Sequence, residues 1–153
     1  MVSHWKFFVV SLCFLFAGSI ASAKDVTFEK EKITLNGKTL TVEIAESPAQ
    51  HEHGLMFRKN MAKDEGMLFI FKTEDYRYFW MKNTYIDLSI GYFDKDKTLV
   101  DIQEMRATSA LETRPPSYPS AKPAMYALEM NKEWFKKNNV KIGHKFSFSS
   151  RRQ

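Results

Sequence analysis

The sequence predicts a mainly β, single-domain fold, a β-sandwich or partly closed barrel with two short helices. Three observations predict it. Two runs of alternating apolar residues flank Asn36-Gly37, strand-length apolar segments recur from Met67 to Met130, and four of the five prolines gather between Pro115 and Pro123. Many short strands broken by turn residues are the pattern of sandwiches and barrels.

Each element follows from its residues. Ile33 and Leu35 alternate with polar neighbours, as do Leu40, Val42 and Ile44 beyond Asn36-Gly37. That is a hairpin signal, because a type I′ turn needs positive φ at both central residues. Ser47 then suits an N-cap, Pro48 the first helical position and Gln50 the capping-box position, with Gly54 placed to end the helix. The helix is two turns at most. Met67–Phe71 reads as a buried strand and Tyr78–Met81 as another, while Leu88, Ile90 and Tyr92 alternate with Ser89 and Gly91. Asp94 to Lys97 is a charged turn into Leu99–Gln103. Further strands are expected over Met125–Met130 and Lys145–Ser149, the latter with Phe146 and Phe148 on one face. Asn131 is placed to cap a short helix through Asn138, carrying Trp134 and Phe135 inward. Residues 111–124 are expected to form a Pro-rich loop without regular strand or helix, a candidate lid.

The ends point to export. Lys6 precedes the apolar run Phe7 to Ala17, and Ala21-Ser22-Ala23 is a small-residue cleavage site, so residues 1–23 are expected to be a cleavable signal peptide. The apolar run is short of the roughly 20 residues that a spanning helix needs. Residues 24–153 then form one β-rich domain, exported to the periplasm or secreted. Cys13, the only cysteine, would leave with the signal segment, which removes disulfides, thiol catalysis and thiolate metal sites. The formal charge of +5 is spread among acids rather than clustered as a basic stripe, so nucleic acid is excluded as a partner.

Gly54-Leu55-Met56-Phe57-Arg58, then Gly66-Met67-Leu68-Phe69, then Phe79-Trp80-Met81-Lys82-Asn83-Thr84 occur in this order. The set resembles the domain of unknown function 192 family over about Ile33 to Phe146. The resemblance implies a small β-rich domain, often behind a signal peptide, and brings no assigned activity or catalytic residue. Four positions depart from the family pattern. His51 stands for an Arg in the short helix, and His144 for an Asp near the C-terminal Gly. Ser89 stands for an Asp in the strand after Lys82-Asn83-Thr84, with an acid appearing instead at Asp87. An Arg–Asp site, if the family uses one, is rebuilt or lost here.

The candidate ligand-binding residues are Arg58, Trp80, Lys82, Asn83, Thr84 and Tyr118. A strand leaving an aromatic core at Lys82-Asn83-Thr84 would set an amide, a hydroxyl and cations at a pocket mouth. Arg58 and Lys82 would face a carboxylate or phosphate, Asn83 would orient the ligand and Trp80 would stack. The bland alternative is that Asn83 and Thr84 bond local backbone and Lys82 reaches for water. Tyr76, Tyr78 and Trp80 are expected to be mainly core, and Tyr118, among prolines, the exposed one. His51, His53, Met56 and Met61 lie close in sequence, but the two histidines fall about 200° apart on a helix, so no metal site is expected. No cofactor loop and none of the common hydrolase motifs is present. The expected function is binding of a small molecule, glycan or extended peptide, with an envelope protein as a further partner. The alternatives are a hydrolase or transferase using Asp87, His51 or His144, and a protein-interaction module.

Overall fold

The computed structural model describes residues 26–109 and 111–150. The expected signal peptide and its Cys13 lie outside the described residues. No helix among them is long and apolar enough to cross a membrane.

The Asn36-Gly37 turn forms as expected, with φ of 49° and 73°, and joins β1 (Glu29–Leu35) to β2 (Lys38–Ala45). The capping box forms too. The Gln50 amide N–H donates to Ser47 Oγ, and Gln50 Oε1 accepts from the Ser47 N–H, opening α1 (Pro48–His53). The chain then enters β3 (Glu65–Asp75), which runs parallel to β2, from Thr41↔Glu65 to Ala45↔Phe69. A parallel partner cannot be reached by a tight turn, so the connection must cross a face of the sheet. That crossover carries α1 over the face.

β4 (Tyr78–Trp80), β5 (Leu88–Phe93), β6 (Leu99–Met105), β7 (Ser117–Pro119), β8 (Ala124–Asn131), α2 (Trp134–Lys137) and β9 (Phe146–Phe148) follow. Seven strands make one sheet in the order β6-β5-β8-β3-β2-β1-β9, and β4 pairs with β7 in a separate ribbon. The sheet curls until its two edges touch at one end. Leu99 N–H donates to His144 O at 2.8 Å, Gly143 N–H to Leu99 O at 2.8 Å, and Phe146 N–H to Lys97 O at 3.2 Å. Of the two expected architectures, the partly closed barrel is the one formed.

Strand alternation sorts the apolar residues onto two faces. Leu40, Val42, Leu68, Leu128, Phe135 and Phe146 belong to one cluster. Met67, Phe69, Ile90, Tyr92 and Ala127 lie on the other face, covered by Leu55, Met81 and the ring of Phe79. The site forms on this second face.

Two expectations fail. Residues 111–124 do contain a strand, β7, which pairs Tyr78↔Pro119 and Trp80↔Ser117. Proline is tolerated there because a two-stranded ribbon leaves its missing N–H on an outer edge. Asn131 does not cap α2. It is held in the β8–β5 ladder opposite Leu88, and its Nδ2 donates to Met61 O and Ala62 O. α2 instead follows Glu133, which is left-handed at φ 60° and makes no side-chain cap.

Candidate functional site

β4 is only three residues long, and alternation splits it sharply. Phe79 points inward, its ring 4.8 Å from that of Phe69 and 5.8 Å from that of Tyr92. Tyr78 and Trp80 face outward, 74% and 49% exposed, and Tyr76 is 52% exposed. The expectation that these three are core is therefore wrong. A short ribbon lying on a sheet has one face in water, and three large rings sit on or beside that face.

Two adjoining spaces open between the aromatic β4 segment and the α1–β3 pair. The smaller is a hole of ≈ 20 Å³ whose lining includes His51, His53, Trp80, Lys82, Thr84 and Glu129. The larger is a cleft of ≈ 270 Å³ whose lining includes His51, Phe71, Tyr76, Tyr78 and Trp80. His51, Phe69, Phe79 and Trp80 line both, so the two spaces form one groove.

Glu129 sits at the hole. Its neighbours in the ladders are Met67 on β3 and Ile90 on β5, both fully buried, and Glu129 itself is only 4% exposed. No described residue hydrogen-bonds its carboxyl. Removal from water disfavours the charged form, so its pKa is pushed up to about 8. Sequence reasoning missed this residue. The signal was available, since an acid inside the apolar run Ala124–Asn131 is unusual unless paired or functional.

The Lys82-Asn83-Thr84 word divides between the two readings. Lys82 and Thr84 line the hole, and Lys82 Nζ lies 5.2 Å from the centre of the Trp80 ring. Asn83 does not line it. Asn83 has φ of 53°, and its carbonyl accepts the Phe57 N–H at 2.7 Å. Thr84 Oγ1 donates to Lys82 O, and Thr84 O accepts the Thr108 N–H. Asn83 thus has a backbone role, because a left-handed position favours Asn or Gly over branched residues. Replacing Asn83 with Gly is expected to leave stability nearly unchanged, and Asn83→Val to cost about 2 kcal/mol in urea unfolding. Equal destabilisation by both would assign the amide a bonding role instead.

Arg58 and Tyr118 leave the site. Arg58 pairs with Glu43 on β2 and lines neither space. Tyr118, the residue expected to be exposed, is the least exposed of the four rings. Its OH accepts the Arg106 N–H, and its carbonyl accepts the Tyr92 hydroxyl. No residue of 111–124 lines the groove, and the Pro-rich segment meets β4 edge to edge through β7.

The alternative catalytic trio does not assemble. Asp87 accepts the Ala107 N–H at 2.8 Å and pairs with Lys132 at 2.9 Å, which together hold its carboxyl below the usual range. His144 lies at the barrel seam, where its Nδ1 accepts the Lys141 N–H. Only His51 reaches the groove. Its Nε2 contacts Ala45 O at 3.0 Å and Ile70 O at 3.1 Å, and its ring packs 4.6 Å from Phe71. Ser89 donates to Glu104 and accepts the Glu133 N–H, tying β5 to the turn before α2. Among the described residues no three His, Cys, Asp or Glu side chains converge as metal ligands.

The family model of DUF192, described as an uncharacterized ACR, matches residues 31–148. A crystal structure from Sinorhizobium meliloti 1021, named there as a candidate transcription regulator, is similar at 36% identity with a TM-score of 0.72. The match covers 82% of this chain and 98% of that one. A protein of unknown function from Novosphingobium aromaticivorans DSM 12444 is similar at 28% identity and TM-score 0.66, over 78% of this chain and 84% of that one. No curated protein matches the sequence.

Proposed function

The chain belongs to the DUF192 family, and on that premise we propose that it is a binding protein whose ligand lies in the groove between α1–β3 and β4. The ligand is a small molecule, or one unit of a glycan or extended peptide, met in the cell envelope after export. One observation carries this reading: a buried carboxyl, Glu129, that no described residue hydrogen-bonds opens into a groove rimmed by exposed Tyr76, Tyr78 and Trp80. Apolar walls with a few converging polar groups are the usual make-up of a ligand site. Exposed aromatics without a partner are costly to hydration and common where something docks.

The test is thermal unfolding of the full chain against envelope glycans, peptides and small metabolites, beside Trp80→Ala and Lys82→Ala. A ligand at 100 times its Kd stabilises the native state by about 2.7 kcal/mol. The expected result is a rise of several degrees in wild type that Trp80→Ala abolishes. A rise that both variants retain would place the ligand elsewhere.

A second reading has one observation in its favour. His51, His53 and Glu129 line one hole, which is the pairing that acid–base hydrolysis needs. Turnover of an envelope substrate that is lost in both Glu129→Gln and His51→Ala would favour it over simple binding.

A further inference from the structure

The hole at Glu129 is selective by size. A space of ≈ 20 Å³ holds one water-sized group, since about 10–15 Å³ of such space is needed for a single water. Whatever enters from the ligand is therefore a single small head group and not a ring.

The hole is also selective by chemistry. His51 Nε2 faces two carbonyl oxygens, which can only accept, so that nitrogen carries the hydrogen. In the neutral ring Nδ1 is then an acceptor, and no described residue engages it. His53 Nδ1 faces Gly54 O at 3.2 Å, which by the same reasoning leaves Nε2 to accept. The Glu129 carboxyl, its pKa pushed up to about 8 by burial, both donates and accepts when protonated and only accepts when ionised. Lys82 and Glu52 also line the hole and carry opposite charges. Arg77 lines the adjoining cleft, but it is held over the Phe71 ring, donates to Thr73 O and Ala124 O and lies in the field of Asp75, so no single uncompensated charge in the lining selects an ammonium or a carboxylate head group. The group that fits is neutral, about the size of a water, and able to donate and accept at once. A hydroxyl has those properties.

The adjoining cleft adds the rest of the guest. It shares Phe79 and Trp80 with the hole and is flanked by Tyr76 and Tyr78, so a molecule anchored in the hole continues over exposed aromatic faces. Its ≈ 270 Å³ lies just below the roughly 300–1,000 Å³ typical of small-molecule pockets, which suits a single sugar unit. A sugar ring offers one apolar C–H face to an aromatic platform and hydroxyls at its edge.

We infer that the groove is a carbohydrate subsite, in which one hydroxyl of a neutral sugar occupies the Glu129 hole and the ring stacks on Trp80 with Tyr78 beside it. This rests on the binding reading above and names its ligand class. Lys82, whose Nζ lies over one face of the Trp80 ring, leaves the other face for the sugar and reaches a ring oxygen or second hydroxyl rather than a charge.

The experiment is titration of the full chain with glucose, N-acetylglucosamine and its short oligomers, with glucuronate, spermidine and an alanine tetrapeptide as comparison classes. Binding is read by calorimetry and by tryptophan emission, in wild type, Trp80→Ala, Glu129→Gln and Glu129→Leu. The expected result is binding of neutral sugars only, weakened at least tenfold by Trp80→Ala and by Glu129→Leu. Glu129→Gln, whose amide also donates and accepts, should weaken it less. Trp80 is half exposed, so its variant separates loss of binding from loss of folding. Trp80-dependent binding of spermidine, glucuronate or the tetrapeptide in place of the sugars would overturn the carbohydrate assignment and leave the groove as a binding site. Sugar binding indifferent to Trp80 and Glu129 would overturn the subsite itself. Binding of none of these compounds would overturn the carbohydrate assignment, and the binding reading would then stand or fall on the broader thermal panel.

Discussion

Between pH 5 and pH 9 the protein is expected to lose about 4 kcal/mol of unfolding free energy, and Glu129→Gln to remove most of that loss. The cause is the carboxyl at the hole, whose pKa rises from 4.5 to about 8 on folding. Because the folded state holds the proton more tightly, it binds more protons than the unfolded chain throughout that interval. Stability therefore falls as pH rises from 4.5, and levels off above 8. Each pH unit between those limits is worth at most about 1.36 kcal/mol. The other carboxyls with resolved shifts, Asp87 and Glu133, are displaced downward. Their contributions are present above their unfolded pKa values and vanish only as the solution becomes more acidic than that. Tyr92 is displaced upward from 10.0 and acts only at higher pH. The window thus belongs to Glu129. Urea unfolding at pH 5, 7 and 9 would decide the matter, and an equal slope in Glu129→Gln would remove Glu129 as its source. Retaining a group that weakens the fold at neutral pH is understandable if the groove uses it.

Gly66→Ala is expected to destabilise the protein by about 3 kcal/mol or more, the largest effect of an added methyl among the described glycines. A Cβ at Gly66 would lie 2.4 Å from the Glu129 carbonyl oxygen and 2.4 Å from Met130 Sδ. The thioether can swing aside, but the carbonyl cannot without parting β3 from β8, where Gly66 faces Met130 in the ladder. Overpacking in a well-filled core typically costs about 1–3 kcal/mol, and a backbone clash belongs at or beyond the upper end. Gly91 supplies the internal comparison. Its added Cβ would meet Phe135 Cζ at 2.7 Å and Leu99 Cδ1 at 3.0 Å, both side-chain atoms. Gly91→Ala should therefore cost less, about 1–2 kcal/mol. Denaturant midpoints for the two variants check the ranking, and a Gly66→Ala protein as stable as Gly91→Ala would mean the strands can separate freely. Because the clash falls on Glu129, the same substitution should also displace the carboxyl from the groove.

The features that were legible in the sequence are those set by neighbours along the chain. The Asn36-Gly37 turn and the Ser47–Gln50 capping box depend on residues a few positions apart, and both formed as read. What failed depended on pairing at a distance. Arg58 is drawn from the groove by Glu43, which comes near only because β3 returns parallel to β2. Asn131 is claimed by the β8–β5 ladder before it can cap anything. Tyr118 and Trp80 exchanged their expected exposures, because ribbon register, not local proline content, decides which ring meets water. Three of the six candidate residues, Trp80, Lys82 and Thr84, nonetheless line one hole. Glu129 was visible as an acid among apolar residues. Its burial emerged only from the pairing of β8 with β3 and β5, which sets it between Met67 and Ile90.

The short seam between the barrel edges gives the molecule a weak meridian. Across it run the backbone bonds of Leu99, Gly143 and Phe146, whereas β3 and β8 are laddered on both flanks. Hydrogen exchange should release the seam amides by local opening well before those of Leu68 or Leu128. On the opposite face of the wall, the groove would stay assembled while the seam breathes. The protein can thus yield at one side without disturbing the groove on the other.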